Sequence, residues 1–284
     1  MTPTAGHVRP KAPVALNSWT TGDAVDARTD IRVAADAGYR FVEIRDAKIE
    51  QFLASGGDLD TLRRDATQRG IGILDVNTLD DATLVTGSEL DARVTRCSVL
   101  SRWARALGAP FVIAGPSYLP EGGLPRDLIR RRSVEALTRH VAAAAEHDVR
   151  IGFEFHGYAR CSINTVADAM AVIEEVGDPR LGLVIDAFHF YVGGSTLADI
   201  ERIDPARLFA IHLADVDHGD RTTLGKANRV LPGDGVLPLP TFVKAVRKTG
   251  YVGPFGLELF NQKLWDMAPQ TIAQRGIDSM RRYV

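Results

Sequence analysis

The sequence predicts an α/β fold, a single (β/α)8 TIM barrel closed by a parallel eight-stranded sheet. Three observations predict it. Short apolar runs alternate with longer helical patterns eight times along the 284 residues. Each run is mostly apolar, as a parallel strand buried on both faces requires. Gly38, Gly70, Gly108, Gly177 and Gly250 each stand just before the next run, where a helix end adopts left-handed backbone.

Taken in order, the first strand is expected at 14–17. It runs into Asn17-Ser18-Trp19-Thr20, not the Gly-rich phosphate turn that an open dinucleotide-binding sheet needs. A helix at 26–37 stops at Gly38, and the second strand, 41–45, carries Glu43 and Arg45 at its end. A helix at 59–68 stops at Gly70 before a third strand, 73–77, closed by Asn77. Helices at 90–107 and 126–147 flank the fourth strand, 111–115. The fifth strand, 151–155, contains Glu154 and is followed by His156. A helix at 165–176 stops at Gly177, and the sixth strand, 183–186, ends on Asp186. A helix at 197–203 precedes the seventh strand, 209–213, which carries His212. A long insertion then runs to Pro240 and reads as an active-site loop. A helix at 240–248, the eighth strand at 256–260 with Glu258, and a helix at 269–283 complete the series.

Eight such units in one chain make one barrel domain over residues 11–284. Residues 1–10 read as a flexible polar tail without the apolar run of a signal peptide. The composition is 45% hydrophobic and 25% charged, with a net charge of -2. That balance offers no basic surface for nucleic acid, and no stretch reaches membrane-spanning length. Cys97 and Cys161 are the only cysteines; neither stands in a C-x-x-C pair, which fits a reducing, cytoplasmic setting.

Chemistry in this architecture sits at the C-terminal ends of the strands. The last four strands end in Glu154, Asp186, His212 and Glu258. A carboxylate within an apolar run is costly unless paired or metal-bound. The plain alternative is a salt bridge from each to an arginine inside the barrel. Four such residues at one end of consecutive strands favour a shared divalent cation. Three oxygens and one nitrogen suit Mn2+ best, with Mg2+, Co2+ or Zn2+ also fitting.

At these residues the chain resembles the xylose-isomerase-like barrel superfamily of sugar isomerases, ketose 3-epimerases, hydroxypyruvate isomerases and endonuclease IV. Within it the resemblance is nearest to the inosose isomerases. It is carried by residues 38–45 (GYRFVEIR), 161–165 (CSINT), 182–190 (GLVIDAFHF), 228–235 (NRVLPGDG) and 258–260 (ELF). The resemblance implies that Glu154, Asp186, His212 and Glu258 are metal ligands, and that His189 and Arg229 contact a small polyhydroxy ketone. It also implies a homo-oligomer. Ketose 3-epimerases carry a further acidic residue where this chain has Arg160, which lowers the epimerase reading. At His156 the inosose isomerases are apolar, whereas dehydroshikimate dehydratases have histidine. An endonuclease IV-like nuclease would want more His and Asp ligands and a basic face. A sugar-binding protein with a retained metal is the remaining alternative.

Isomerising an α-hydroxy ketone removes a proton beside a carbonyl and passes through a cis-enediolate. A metal chelating both oxygens would stabilise that charge, and a carboxylate, Glu154 or Glu258, would move the proton. His189 is expected on the enediolate oxygen or in the core, and Arg229 on substrate hydroxyls or in solvent. His156 is expected as a general acid or at the barrel rim, and Asn77 on substrate or at a helix cap. Glu43 and Arg45 are expected to pair with each other. Trp19 and Trp265 are expected to be ordinary packing, and residues 232–235 to form a turn.

Overall fold

The structure is a computed structural model that describes residues 12–284. The expected tail, 1–10, and Lys11 lie outside the described residues. Strands β1 (Val14–Asn17), β2 (Phe41–Arg45), β3 (Gly72–Leu79), β4 (Phe111–Ala114), β5 (Arg150–Glu154), β6 (Leu181–Asp186) and β7 (Leu208–Leu213) lie in the barrel wall. A two-residue pair, β8 (Asp215–Val216) and β9 (Arg229–Val230), stands apart, and β10 (Phe255–Leu257) completes the wall. The order β1-β10-β7-β6-β5-β4-β3-β2 closes on itself, and every wall pairing is parallel. Helices surround the barrel, and none is long and apolar enough to cross a membrane.

The wall strands are buried along almost their whole length, which is why the sequence shows continuous apolar runs. Side chains facing the helices form one large core. Inside the barrel a second, small cluster of Ala15, Leu74, Phe111, Ile113, Val184, Phe209 and Ala210 fills the lower part. Gly152 and Gly182 make room for it. A Cβ on Gly182 would stand 2.3 Å from the Phe209 ring, and one on Gly152 3.0 Å from Phe111. Above this plug the interior turns polar, with Asn17, Glu43, Asp75, Asn77, Glu154, Asp186, His212 and Glu258 all buried. Two register shifts help to build that layer. One passes over Leu74 and brings Asp75 opposite Glu43; the other passes over Phe209. A bulge of this kind re-aims the residues beside it.

The glycine stops hold: Gly38, Gly70, Gly108, Gly177 and Gly250 all have positive φ. Four differences from expectation matter. Helix Asp46–Ala54 follows β2 directly; no glycine or periodic stripe separates it from the strand, so it reads as loop. Helix Ala187–Gly193 starts on the last residue of β6, with the Asp186 carboxylate accepting from the His189 N–H. The expected eighth strand, 256–260, stops at Leu257. Beyond it the chain bonds sideways, Leu259 N–H donating to Thr20 Oγ1 at 3.1 Å. The fourth and fifth strands end one residue earlier than expected, at Ala114 and Glu154.

Candidate metal centre

Successive inward positions on β5, β6 and β7, and the first residue past β10, carry Glu154, Asp186, His212 and Glu258. Asp186 is in register with His212, and His212 with Gly256. One ligand atom from each of the four lies within 4.8 Å of all the others, and all four residues are buried. Three carboxylates and an imidazole at that spacing fit one divalent ion with mixed oxygen and nitrogen donors.

The protein brings its own positive charge to the same place. Arg229 is buried, with its guanidinium Nη1 2.6 Å from Asp186 Oδ2 and 2.9 Å from Glu258 Oε2. Phe188 and Phe260 flank the guanidinium, their ring centres 4.6 and 4.9 Å away. Against the burial that would lower its pKa, Asp186 and Glu258 raise the guanidinium above its ordinary value. The alternative of a solvated loop arginine does not hold: Arg229 is buried and spans two candidate ligands. His212 Nδ1 is 2.9 Å from Glu154 Oε1 and 3.6 Å from Glu258 Oε2. Burial disfavours charge on this imidazole, but Glu43, Glu258 and Glu154 outweigh it and raise its pKa well above the usual value. Burial raises Glu258 to about 7, against the attraction of His212 and Arg229. Glu154 goes the other way: burial raises it, but His212 and His156 together hold it well below the usual range.

Below the four candidate ligands lies a layer of supporting groups. Asn17 Nδ2 donates to Glu258 Oε1 at 3.0 Å and to Glu43 Oε2 at 2.7 Å. Asn77 Nδ2 approaches the same Glu258 oxygen at 3.5 Å. The expected Glu43–Arg45 pair does not form. Glu43 is buried and lies 2.9 Å from His212 Nε2. Arg45 pairs instead with Asp23 and covers the Trp19 ring. Two residues on one strand face share a side but stand one layer apart, so Glu43 lies deeper than Arg45. Asp75, in register with Glu43, has no hydrogen-bond partner on either oxygen among the described residues. Burial, reinforced by the Glu43 charge, holds its carboxyl well above the usual range.

His189 and His156 stack beside the ligands with ring centres 4.7 Å apart. His189 is buried; its Nδ1 accepts from Gly157 N–H at 3.2 Å and its Nε2 faces Arg229 Nη2 at 3.2 Å. Burial, then the charges of His156 and Arg229, hold this ring well below its usual pKa. His156 is half-buried, with Nε2 3.7 Å from Glu154 Oε2. Burial lowers it, but Cys161 and Glu154 outweigh burial and push it to about 10.

All eight candidate site residues therefore border one centre. Reading strand ends alone missed Asn17, Glu43 and Asp75 as neighbours of it. Their signal was present as polar residues within apolar runs. Arg160 is exposed and turns to the Leu119 carbonyl at 3.3 Å. Trp19 is tilted against Phe260 with ring centres 4.5 Å apart, and Trp265 Nε1–H donates to the Trp19 carbonyl at 3.0 Å. Both tryptophans thus pack as expected. Cys97 and Cys161 are buried and unpaired.

A family model described as a xylose isomerase-like TIM barrel matches residues 31–283. The chain belongs to this family. It is 28% identical to an inosose isomerase of Halalkalibacterium halodurans over 93% of each chain. It is 26% identical to the inosose isomerase of Bacillus subtilis, over 94% of this chain and 98% of that one. A solved structure of an IolI protein with a bound zinc atom is similar at TM-score 0.91 and 25% identity, over 96% of this chain and 99% of that one.

Proposed function

We propose that this family member is a metal-dependent isomerase that moves a proton between adjacent carbons of an α-hydroxy ketone, with an inosose as the leading substrate. The observation that carries the reading is the convergence of Glu154, Asp186, His212 and Glu258 within 4.8 Å. The similarity to inosose isomerases over nearly the whole chain points to the same substrate class. Mn2+ is the favoured ion for this oxygen-rich set, with Mg2+, Co2+ or Zn2+ as alternatives. When bound, such an ion supplies Lewis-acid stabilisation of the developing negative charge.

The chain's own groups do the rest. Glu154 and Glu258 are the candidate bases, one ending β5 and the other just past β10, with β6 and β7 between those strands. Glu258 is a candidate base because its carboxylate reaches the centre from the far side of Glu154, with Arg229 on one oxygen and Asn17 on the other. Asn17 and Asn77 hold its Oε1, leaving the Oε2 edge toward the centre. His189, beside Arg229 at the rim of the centre, is the candidate for a hydrogen bond to a substrate oxygen. Arg229 fixes the Asp186 and Glu258 carboxylates and presents its remaining N–H groups to substrate hydroxyls.

A second reading, a lyase that expels water, is favoured by one observation: the His156 imidazole stands against Glu154 and His189, where it could act as a general acid. The 3-epimerase reading lacks an equivalent, because the position of its additional acid is the outward-turned Arg160.

The test is a screen of inososes and ketoses in D2O with added Mn2+, followed by mass spectrometry and NMR. An isomerase incorporates deuterium beside the carbonyl without loss of water. His156→Ala then lowers turnover only modestly. Release of water that disappears in His156→Ala would replace the isomerase by the lyase.

A further inference from the structure

We propose that Asp215 is a positioning residue that sets the Arg229 guanidinium between Asp186 and Glu258. The inference rests on the metal-centre reading above. It begins with a problem of delivery. Arg229 lies 43 residues from Asp186 and 29 from Glu258 in the chain, within the long segment that follows β7. Its own strand, β9, is two residues long and pairs only with β8. So short a ladder fixes little by itself.

Asp215 supplies what the ladder lacks. It stands three residues after His212, and its side chain is buried. Oδ1 accepts from the Val216 and Leu237 N–H groups at 2.9 and 2.8 Å, and Oδ2 from Gly233 N–H at 3.0 Å. These bonds tie both ends of the turn that leaves β9 back onto β8. The turn closes tightly over the carboxylate: a Cβ on Gly235 would lie 2.6 Å from Asp215 Oδ1 and 2.3 Å from the Val216 carbonyl oxygen. Register then sets Val216 opposite Arg229, and Asp217 N–H donates to Asn228 O at 3.0 Å. From the other side Asn261 Nδ2 donates to the Arg229 carbonyl at 3.1 Å. Asp215 is not among the four clustered ligand groups, and both its oxygens are engaged by backbone donors. Its proposed route to the centre is the β8–β9 ladder and Arg229, and the cycle below tests that route against one through His212.

The experiment is a double-mutant cycle of Asp215→Asn and Arg229→Ala, read by calorimetric Mn2+ affinity, with thermal midpoint and amide exchange over 229–237 as companions. Arg229→Ala removes a cation beside two ligand carboxylates and tightens Mn2+ binding about threefold to tenfold. Asp215→Asn shifts the affinity in the same direction and adds nothing once Arg229 is alanine. An equal shift with and without Arg229, or no shift in either background, overturns the proposal. If Asp215→Asn fails to fold, Asp215→Ser takes its place, keeping an acceptor for Val216 N–H but not the reach to Gly233 and Leu237. Failure of the unaltered protein to bind Mn2+ would sink the metal-centre reading instead. The proposal then stands or falls on exchange: unchanged protection at 229–237 in Asp215→Asn overturns it.

Discussion

At the scale of single residues, the centre shows how a buried charge is managed. Glu258 accepts from Asn17 and faces Arg229, His212 and the carboxylates of Glu154 and Asp186. Glu258→Gln keeps the shape but removes a ligand charge and a candidate base. General-base catalysis contributes about 10²–10⁴-fold, so solvent-deuterium exchange should fall by at least that factor while the fold, read by circular dichroism, is kept. Retained exchange would assign the base to Glu154. Gly256 makes a different point. It sits in the wall beside His212, and a Cβ there would stand 2.1 Å from Glu43 Oε1 and 3.0 Å from His212 Cδ2. Glu43 reaches His212 across that gap. Gly256→Ala should therefore destabilise by about 1–3 kcal/mol, the usual result of overpacking, and weaken metal binding by displacing His212. Chemical denaturation and calorimetry together check both effects.

At the scale of elements, the loop after β1 is fixed by a buried ion pair. Lys48 Nζ lies 2.7 Å from Asp30 Oδ2 and donates to the Ser18 carbonyl at 2.9 Å and Thr21 Oγ1 at 3.1 Å. This ties helices Ala27–Ala37 and Asp46–Ala54 to the segment bearing Trp19. Burial raises Asp30 to about 6 even against the pull of Lys48, and burial likewise lowers Lys48. Desolvation thus outweighs the attraction. Removing one partner strands the other, so Lys48→Met should cost about 3–5 kcal/mol, whereas a volume-matched apolar replacement of both should be near neutral. The sign of the pH effect follows. An acid whose folded pKa is raised contributes most below its unfolded value, 3.8, and loses that contribution as pH rises through about 6. Urea midpoints compared between pH 4 and 7 should show the protein losing on the order of 1–3 kcal/mol relative to Asp30→Asn. A flat difference would mean that Asp30 titrates normally.

For the whole molecule, the four candidate ligands come from the second half of the chain, while Asn17, Glu43, Asp75 and Asn77 come from the first. A cation held by the four candidate ligands would join β5, β6, β7 and the residue that follows β10. Ligand binding to the folded state stabilises by RT ln(1 + [L]/Kd), about 2.7 kcal/mol at a hundredfold excess over Kd. Mn2+ should therefore raise the thermal midpoint, EDTA should reverse the rise, and Glu154→Gln should abolish it. An unchanged midpoint across a Mn2+ titration would count against the metal centre.

The sequence by itself determined the barrel, because eight doubly buried strands punctuated by glycine admit few other closures. It also determined the four clustered groups, because a carboxylate or imidazole in an apolar run must find a partner. Both signals are local: period, punctuation and a misfit polar residue are written within about ten positions. Only the tertiary structure decided where Arg229 points, that Glu43 turns to His212 and not to Arg45, and that Asp215 accepts from Gly233 and Leu237 in the turn that follows Arg229. Each of these depends on which strands become neighbours on closure and on which layer a side chain occupies. Those relations join residues far apart in the chain, and the pattern along the chain does not carry them.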